Sequence, residues 1–277
     1  RVIDMIKVDD KDWVAVYEQA TNDPHQRVRE FYFLAFPIIQ KYIKFCTDRS
    51  FLDFNDLNIK AIDLLKNSDE IRMKFFNQYK YVLVDEFQDV NKIQVNFIRT
   101  MMNPDAQLFC VGDDWQSIYG FRGSDVQYIV DFRRFFKDAK IISLETNYRS
   151  TSSIVDASSE VIRNNKFMLD KVVRAYKKSK SKIEVYTAID FHDGVEWALQ
   201  KVKELIKKKI NPEQILFLYR RSKMFEPYRE RFKKEKLYVN AKTIHAAKGL
   251  ESKIVFIIGL THGNGGFPDI WLDDRIY

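Results

Sequence analysis

Asp85 and Glu86 stand side by side directly after the apolar run Tyr81-Val82-Leu83-Val84. Neighbouring side chains at the end of an extended strand point different ways. One acid can therefore hold a hard cation such as Mg²⁺ while the other orients or deprotonates a water. Two solvated acids capping a strand would read the same. A second apolar run, 107–111, ends in Gly112-Asp113-Asp114-Trp115-Gln116. Gly112 permits a tight turn there. Gln116 can touch a phosphate or a water without carrying charge, or simply bond backbone within the turn. Tyr119, Phe121 and Arg122 then combine aromatic faces with a cation, which suits stacking on unpaired bases and meeting a phosphate. A core aromatic cluster with Arg122 in a surface ion pair fits that stretch equally well.

A third apolar run, Ile141-Ile142-Ser143-Leu144, leads into Glu145-Thr146-Asn147-Tyr148-Arg149-Ser150. Tyr148 can stack on a purine. Arg149 can stabilise charge on a transferring phosphoryl group, or bond nearby carbonyls. Further on, Thr243-Ile244-His245-Ala246-Ala247-Lys248-Gly249-Leu250-Glu251 gathers a hydroxyl, an imidazole, a lysine and a carboxylate around a glycine turn. No second His or Cys stands at metal-ligand spacing, so His245 reads as a contact to nucleic-acid backbone rather than a metal ligand. The alternative is an ordinary polar loop between two strands.

These clusters need elements to carry them. Residues 1–80 read as helical. Apolar residues from Val28 to Ile43 recur at helical spacing, predicting an amphipathic helix packed on a core and kinked or split at Pro37. Asp53 or Asn55 should cap a helix whose apolar stripe is Leu57, Ala61, Leu64 and Leu65. One more helix is expected around Ile71, Phe75 and Phe76. From 81 onward strands and helices alternate: strands at 81–84, 107–111 and 141–144, helices at 90–102 (Asp89 as N-cap) and 126–136. A helix capped by 150–152 and running to about Arg163 follows. Then come a strand at 183–186, a helix at 195–208, a strand at 215–219, a basic helical stretch at 222–236, a strand into Thr243 and a strand at 253–258. Such alternation predicts an α/β fold with mostly parallel sheets. In such sheets ligands bind at the carboxyl ends of strands, where the clusters above lie.

The bulk numbers agree with a globular α/β protein. The 277 residues are 45% hydrophobic and 31% charged, enough for a core and against wholesale disorder. A formal net charge of +7 suits a polyanionic partner. The two cysteines, Cys46 and Cys110, are distant in sequence and read as small buried hydrophobes in a reducing compartment. No apolar run approaches a membrane span and no signal peptide is visible, so a cytoplasmic location is expected.

In order, DEFQD, GDDWQSIYGFRG, LETNYRS and TIHAAKGLE resemble the motifs of the UvrD/Rep-type family of superfamily 1 DNA helicases, over about residues 50–165 and 235–268. Trp115 within its motif, the run 259–268, and the short distance from the 219 strand to TIHAAKGLE look most like the helicase IV branch. The resemblance implies two RecA-like P-loop NTPase domains, the first incomplete, binding ATP between them and single-stranded DNA across their top. It places the tail of a helical 1B-like insertion at 1–50, a partial domain 1A at 51–147 and domain 2A at 148–277. It further implies that Asp85 holds Mg²⁺, Glu86 activates water, Gln116 senses the γ-phosphate and Arg149 is an arginine finger. Tyr148 would stack on adenine and Glu251 would contact the ribose. Tyr119, Phe121, Arg122, Thr243 and His245 would line the path of single-stranded DNA, up to a duplex junction.

The 277 residues contain no G-x-x-x-x-G-K-[ST] phosphate loop and no last arginine-bearing family motif. Both ends look cut, so the chain is expected to be a fragment with little or no ATP turnover alone. Two other functions are compatible with parts of the sequence. One is a helicase relative without ATPase activity, acting as a DNA-binding or scaffold module. The other is a metal-dependent nuclease using Asp85, Glu86, Asp113 and Asp114.

Overall fold

The computed structural model describes residues 2–9, 11–179, 182–261 and 267. Five helices come first: α1 (Val2–Val8), α2 (Trp13–Thr21), α3 (Gln26–Asp48), α4 (Phe54–Asn67) and α5 (Asp69–Gln78). Asp53 caps α4 through a capping box with Asp56, as the sequence expects, and Lys7 of α1 bonds both acids at 2.6 Å. One expectation here is narrowed and one is corrected. Of the kink or split expected at Pro37 the split is excluded, because α3 is one 23-residue helix with Pro37 inside it. Proline removes a single backbone donor, and the turns on either side keep theirs. The inward stripe of α4 is Ile59, Ile62 and Leu65, whereas Leu57 and Leu64 are exposed. The stripe is set by α6 (Lys92–Met101) and α1, whose Ile93 and Val8 meet Ile62. α3 buries Val28 and Ile39, while Phe33, Leu34 and Ile38 on it are exposed.

Next come β1 (Tyr81–Val84), α6 and β2 (Gln107–Cys110), with β1 and β2 paired in parallel and in register from Tyr81↔Gln107 to Val84↔Cys110. Asn91, not Asp89, caps α6, in a reciprocal box with Gln94. Phe87–Asp89 form a 3-10 turn that buries Phe87 and Gln88 and delays the helix. The expected 126–136 helix is two short pieces, α7 (Gln127–Val130) and α8 (Phe132–Phe135). Phe87, Val90, Val95, Ile98 and Tyr128 form the core beneath β1 and β2.

The run 141–144 is exposed and joins no ladder among the described residues. Pairing begins only at residue 145, whose carbonyl accepts the Arg174 N–H at 2.7 Å. The strand here is β3 (Thr146–Thr151), parallel to β4 (Arg174–Lys177), with α9 (Ser152–Ile162) between them in sequence. The expected strand at 183–186 is likewise unpaired; Tyr186 instead stacks on Trp197 at 4.6 Å.

The second compact unit begins at Lys182. It contains α10 (Phe191–Lys207), β5 (Ile215–Tyr219), α11 (Glu226–Lys234), β6 (Asn240–Thr243) and β7 (Ile254–Ile257). Its parallel sheet has the order β6-β5-β7. β5 is central and therefore almost wholly apolar and buried. Leu199 and Val202 of α10 and Phe232 of α11 pack with Phe217 of β5 in its core. All strand pairs in the described residues are parallel, an α/β arrangement. No described helix is long and apolar enough to cross a membrane.

Candidate active site

The parallel pairing of β1 and β2 brings their carboxyl ends, and hence two of the sequence clusters, to one edge. The ladder continues past the strands, with Val111 N–H bonded to Val84 O and Phe87 N–H to Val111 O, each at 2.8 Å. Asp85 is exposed, and its Oδ1 accepts the Glu86 N–H at 2.8 Å. Glu86 has a left-handed backbone, φ 53° and ψ 40°, unusual for a residue with a side chain.

Gln88, which sequence reasoning passed over, joins the two strand ends. It is 1% exposed. Its Nε2 donates to Glu86 Oε2 at 2.6 Å, and its Oε1 accepts the Asp113 N–H at 2.9 Å. Its carbonyl accepts the Ser117 hydroxyl at 3.1 Å. Gly112 makes room for this, because a Cβ there would lie 2.6 Å from Gln88 Oε1 and 2.7 Å from Ile129 Cδ1. Asp113 Oδ2 in turn accepts the Gln116 Nε2 at 2.7 Å. Glu86, Gln88, Asp113 and Gln116 thus form one connected set. Gln116 is exposed and bonds a side-chain carboxylate rather than turn backbone.

Asp113 and Asp114 are both bonded by the ammonium of Lys171. Burial pushes the Asp113 carboxyl up, but the bonds from Lys171 and Gln116 and the Lys171 charge outweigh it and hold it below the ordinary carboxylate range. A lysine already fills the space between these acids, which argues against their use as a nuclease metal site. No cluster of three or more metal-ligating side chains occurs among the described residues. Asp85 presents an exposed carboxylate at the strand end, bonded by no lysine or arginine among the described residues. One carboxylate supplemented by substrate phosphates is the usual protein share of a Mg²⁺ site, so the donor chemistry fits that ion.

Beyond the turn, the Arg122 guanidinium lies 5.1 Å from the Tyr119 ring centroid and 5.5 Å from that of Phe121. The two rings are 6.1 Å apart, and Phe121 and Arg122 are exposed. Tyr148 and Arg149 lie within β3 rather than after the 141–144 run. Tyr148 is exposed and packs beside Tyr176 of β4 at 5.1 Å. The Asn147 side chain accepts the N–H groups of Arg149 and Ser150 at 3.0 and 2.8 Å, fixing the local bend in β3.

The TIHAAKGLE cluster belongs to the second compact unit. Thr243 ends β6, and its hydroxyl accepts the Ala246 N–H at 3.2 Å. His245 opens a 3-10 turn, with its Nδ1 3.3 Å from Arg220 Nη1. Glu251 is exposed after Gly249, whose φ is +80°. Of the run 259–268, residues 262–266 and 268 lie outside the described residues.

Comparison with known proteins places these clusters in a family. Residues 7–137 match the UvrD/REP helicase N-terminal domain, and residues 142–242 match the UvrD-like helicase C-terminal domain. The "Probable DNA helicase II homolog" of Mycoplasma capricolum subsp. capricolum is 36% identical over 186 residues, 67% of this chain and 26% of that protein. The ATP-dependent DNA helicase PcrA of Staphylococcus epidermidis is 34% identical, and that of Staphylococcus aureus 33%, over the same shares. The chain spans about a quarter of the length of these relatives. With two adjoining family domains matched over residues 7–137 and 142–242, the chain belongs to the UvrD/REP-type family of superfamily 1 DNA helicases.

Proposed function

We propose that this chain carries part of the ATP- and DNA-handling machinery of a DNA helicase. The parent protein would couple ATP hydrolysis to 3′-to-5′ translocation on single-stranded DNA and to opening of duplex junctions. The observation that carries the proposal is the bonded set Glu86–Gln88–Asp113–Gln116, which couples an acid at one strand end to an exposed amide at the next. The ATP-dependent helicase names of the relatives support it. The domain plan is 1–50 as the tail of a 1B-like insertion, 51–147 as partial 1A and 148–277 as 2A. The change from one family model to the next, between residues 137 and 142, supports a boundary in that region.

In this scheme Glu86 takes a proton from the attacking water, with the Gln88 amide donating to its carboxylate and fixing its direction. Gln116 offers its amide to the γ-phosphate. Arg149 meets charge developing on the transferring group, Tyr148 stacks on adenine and Glu251 bonds the ribose. Asp85 would hold Mg²⁺, which when bound neutralises phosphate charge. Tyr119 and Phe121 stack on bases, while Arg122, Thr243 and His245 contact the strand. The helicase IV branch is supported by Trp115 and by the short path from β5 to Thr243.

The test is ATP turnover by the full-length protein with and without a single-stranded oligonucleotide. Turnover should be DNA-stimulated, and Glu86→Gln should lower kcat by about 100-fold or more with oligonucleotide affinity kept. Turnover indifferent to DNA, or unaffected by Glu86→Gln, would overturn the proposal.

A further inference from the structure

Lys171 lies between α9 and β4, outside every motif that the sequence marks out. Its ammonium bonds Asp113 at 2.6 Å and also bonds Asp114, and it sits 4.9 Å from the Trp115 ring centroid. Its side chain is 14% exposed, and that of Asp114 is fully buried. The Leu169 N–H donates to the second oxygen of Asp114 at 2.7 Å. One short segment therefore holds both oxygens of a buried acid 55 and 57 positions away.

Two adjacent carboxylates with one of them buried cannot both stay ionised without a cation at hand. Lys171 supplies that cation. Asp113 then divides its oxygens, one taking Lys171 and the other taking the Gln116 amide. The backbone bond at Leu169 fixes the height of the segment, and the indole face of Trp115 gives the ammonium a second partner. The same segment runs directly into β4, which pairs with the strand bearing Tyr148 and Arg149.

We infer that Lys171 is a positioning residue for Gln116: by holding Asp113 it sets the direction of the Gln116 amide, and so ties the end of β2 to the β3–β4 module. The catalytic part of this inference rests on Gln116 as the γ-phosphate contact. Lys171→Met keeps the length of the stem and removes the charge. Lys171→Arg keeps the charge on a planar, wider head.

The test has two arms. Hydrogen exchange on the 277-residue chain reads the positioning directly. Lys171→Met should speed exchange across residues 113–117 and at Leu169 by about tenfold or more, with α6 and α10 unchanged, and Lys171→Arg should restore much of the protection. Unchanged exchange at 113–117, or an equal rise in α6 and α10, would overturn the inference. In the full-length protein Lys171→Met should lower kcat for DNA-stimulated ATP turnover by about tenfold or more while KM for ATP moves less than about threefold. A matching rise in KM, or no change, would overturn the catalytic part. If the unsubstituted protein turned over no ATP, the helicase proposal would fall with that part, and the exchange arm would still decide the positioning.

Discussion

Gln88 shows why a buried amide can matter as much as an exposed acid. Both ends of its amide are engaged, one by Glu86 and one by the Asp113 backbone. Replacing it with Leu would strand the Asp113 N–H and remove the amide that donates to Glu86. Each buried group left unbonded costs about 1–3 kcal/mol. Gln88→Leu should therefore lower the urea midpoint and, in the full-length protein, lower kcat with little change in KM. Gly112→Ala makes the converse point. Its new methyl would press on both the amide and Ile129, so an overpacking loss of about 1–3 kcal/mol is expected in urea titration. The part Gln88 plays was not legible in the sequence, because it lies in a partner 25 positions away. Asp85, Glu86 and Gln116 stand out in the sequence because they follow apolar runs. Lys171 stands in a stretch with no such cue, and its partners are 57 and 58 positions distant.

At the scale of elements, the apolar strands were the easiest to read. β1, β2 and β5 are short apolar runs, and the structure places them close to where the sequence does. β3 and β4 read TNYRST and RAYK, polar enough that only their pairing defines them. The apolar run 141–144 failed as a strand for the same reason, since no neighbour in the described residues completes its ladder. Helix starts were legible where a side chain closes a box, as at Asp53. That cap also carries a pH dependence. Burial raises the Asp53 carboxyl, but the bonds and charge of Lys7 and the Asp56 N–H hold it below its ordinary value. A carboxyl lowered in the folded state stabilises above its unfolded pKa of about 3.9, and the benefit fades as pH falls through the folded value. Asp53→Ala should cost about 1–2 kcal/mol near neutral pH. The gap between variant and parent in thermal melts should close below about pH 4.

For the whole molecule, the net charge of +7 and the Tyr119–Phe121–Arg122 cluster predict binding of single-stranded oligonucleotides that weakens steeply with salt. Fluorescence anisotropy should show this, with Phe121→Ala weakening binding by about tenfold, as one lost base stack of 1–3 kcal/mol implies. The 277 residues alone should turn over little or no ATP even with DNA present, because no phosphate loop stands among them. A DNA-stimulated rate from this chain would refute that expectation.

The left-handed backbone at Glu86 has a practical consequence for dissecting any motor built on this scaffold. Side chains are strained at that φ, and glycine is not. Glu86→Gly should relax the peptide while deleting the acid, whereas a β-branched substitute would deform the corner itself. Comparing the two separates a protein silenced by missing chemistry from one silenced by a bent hinge of chain.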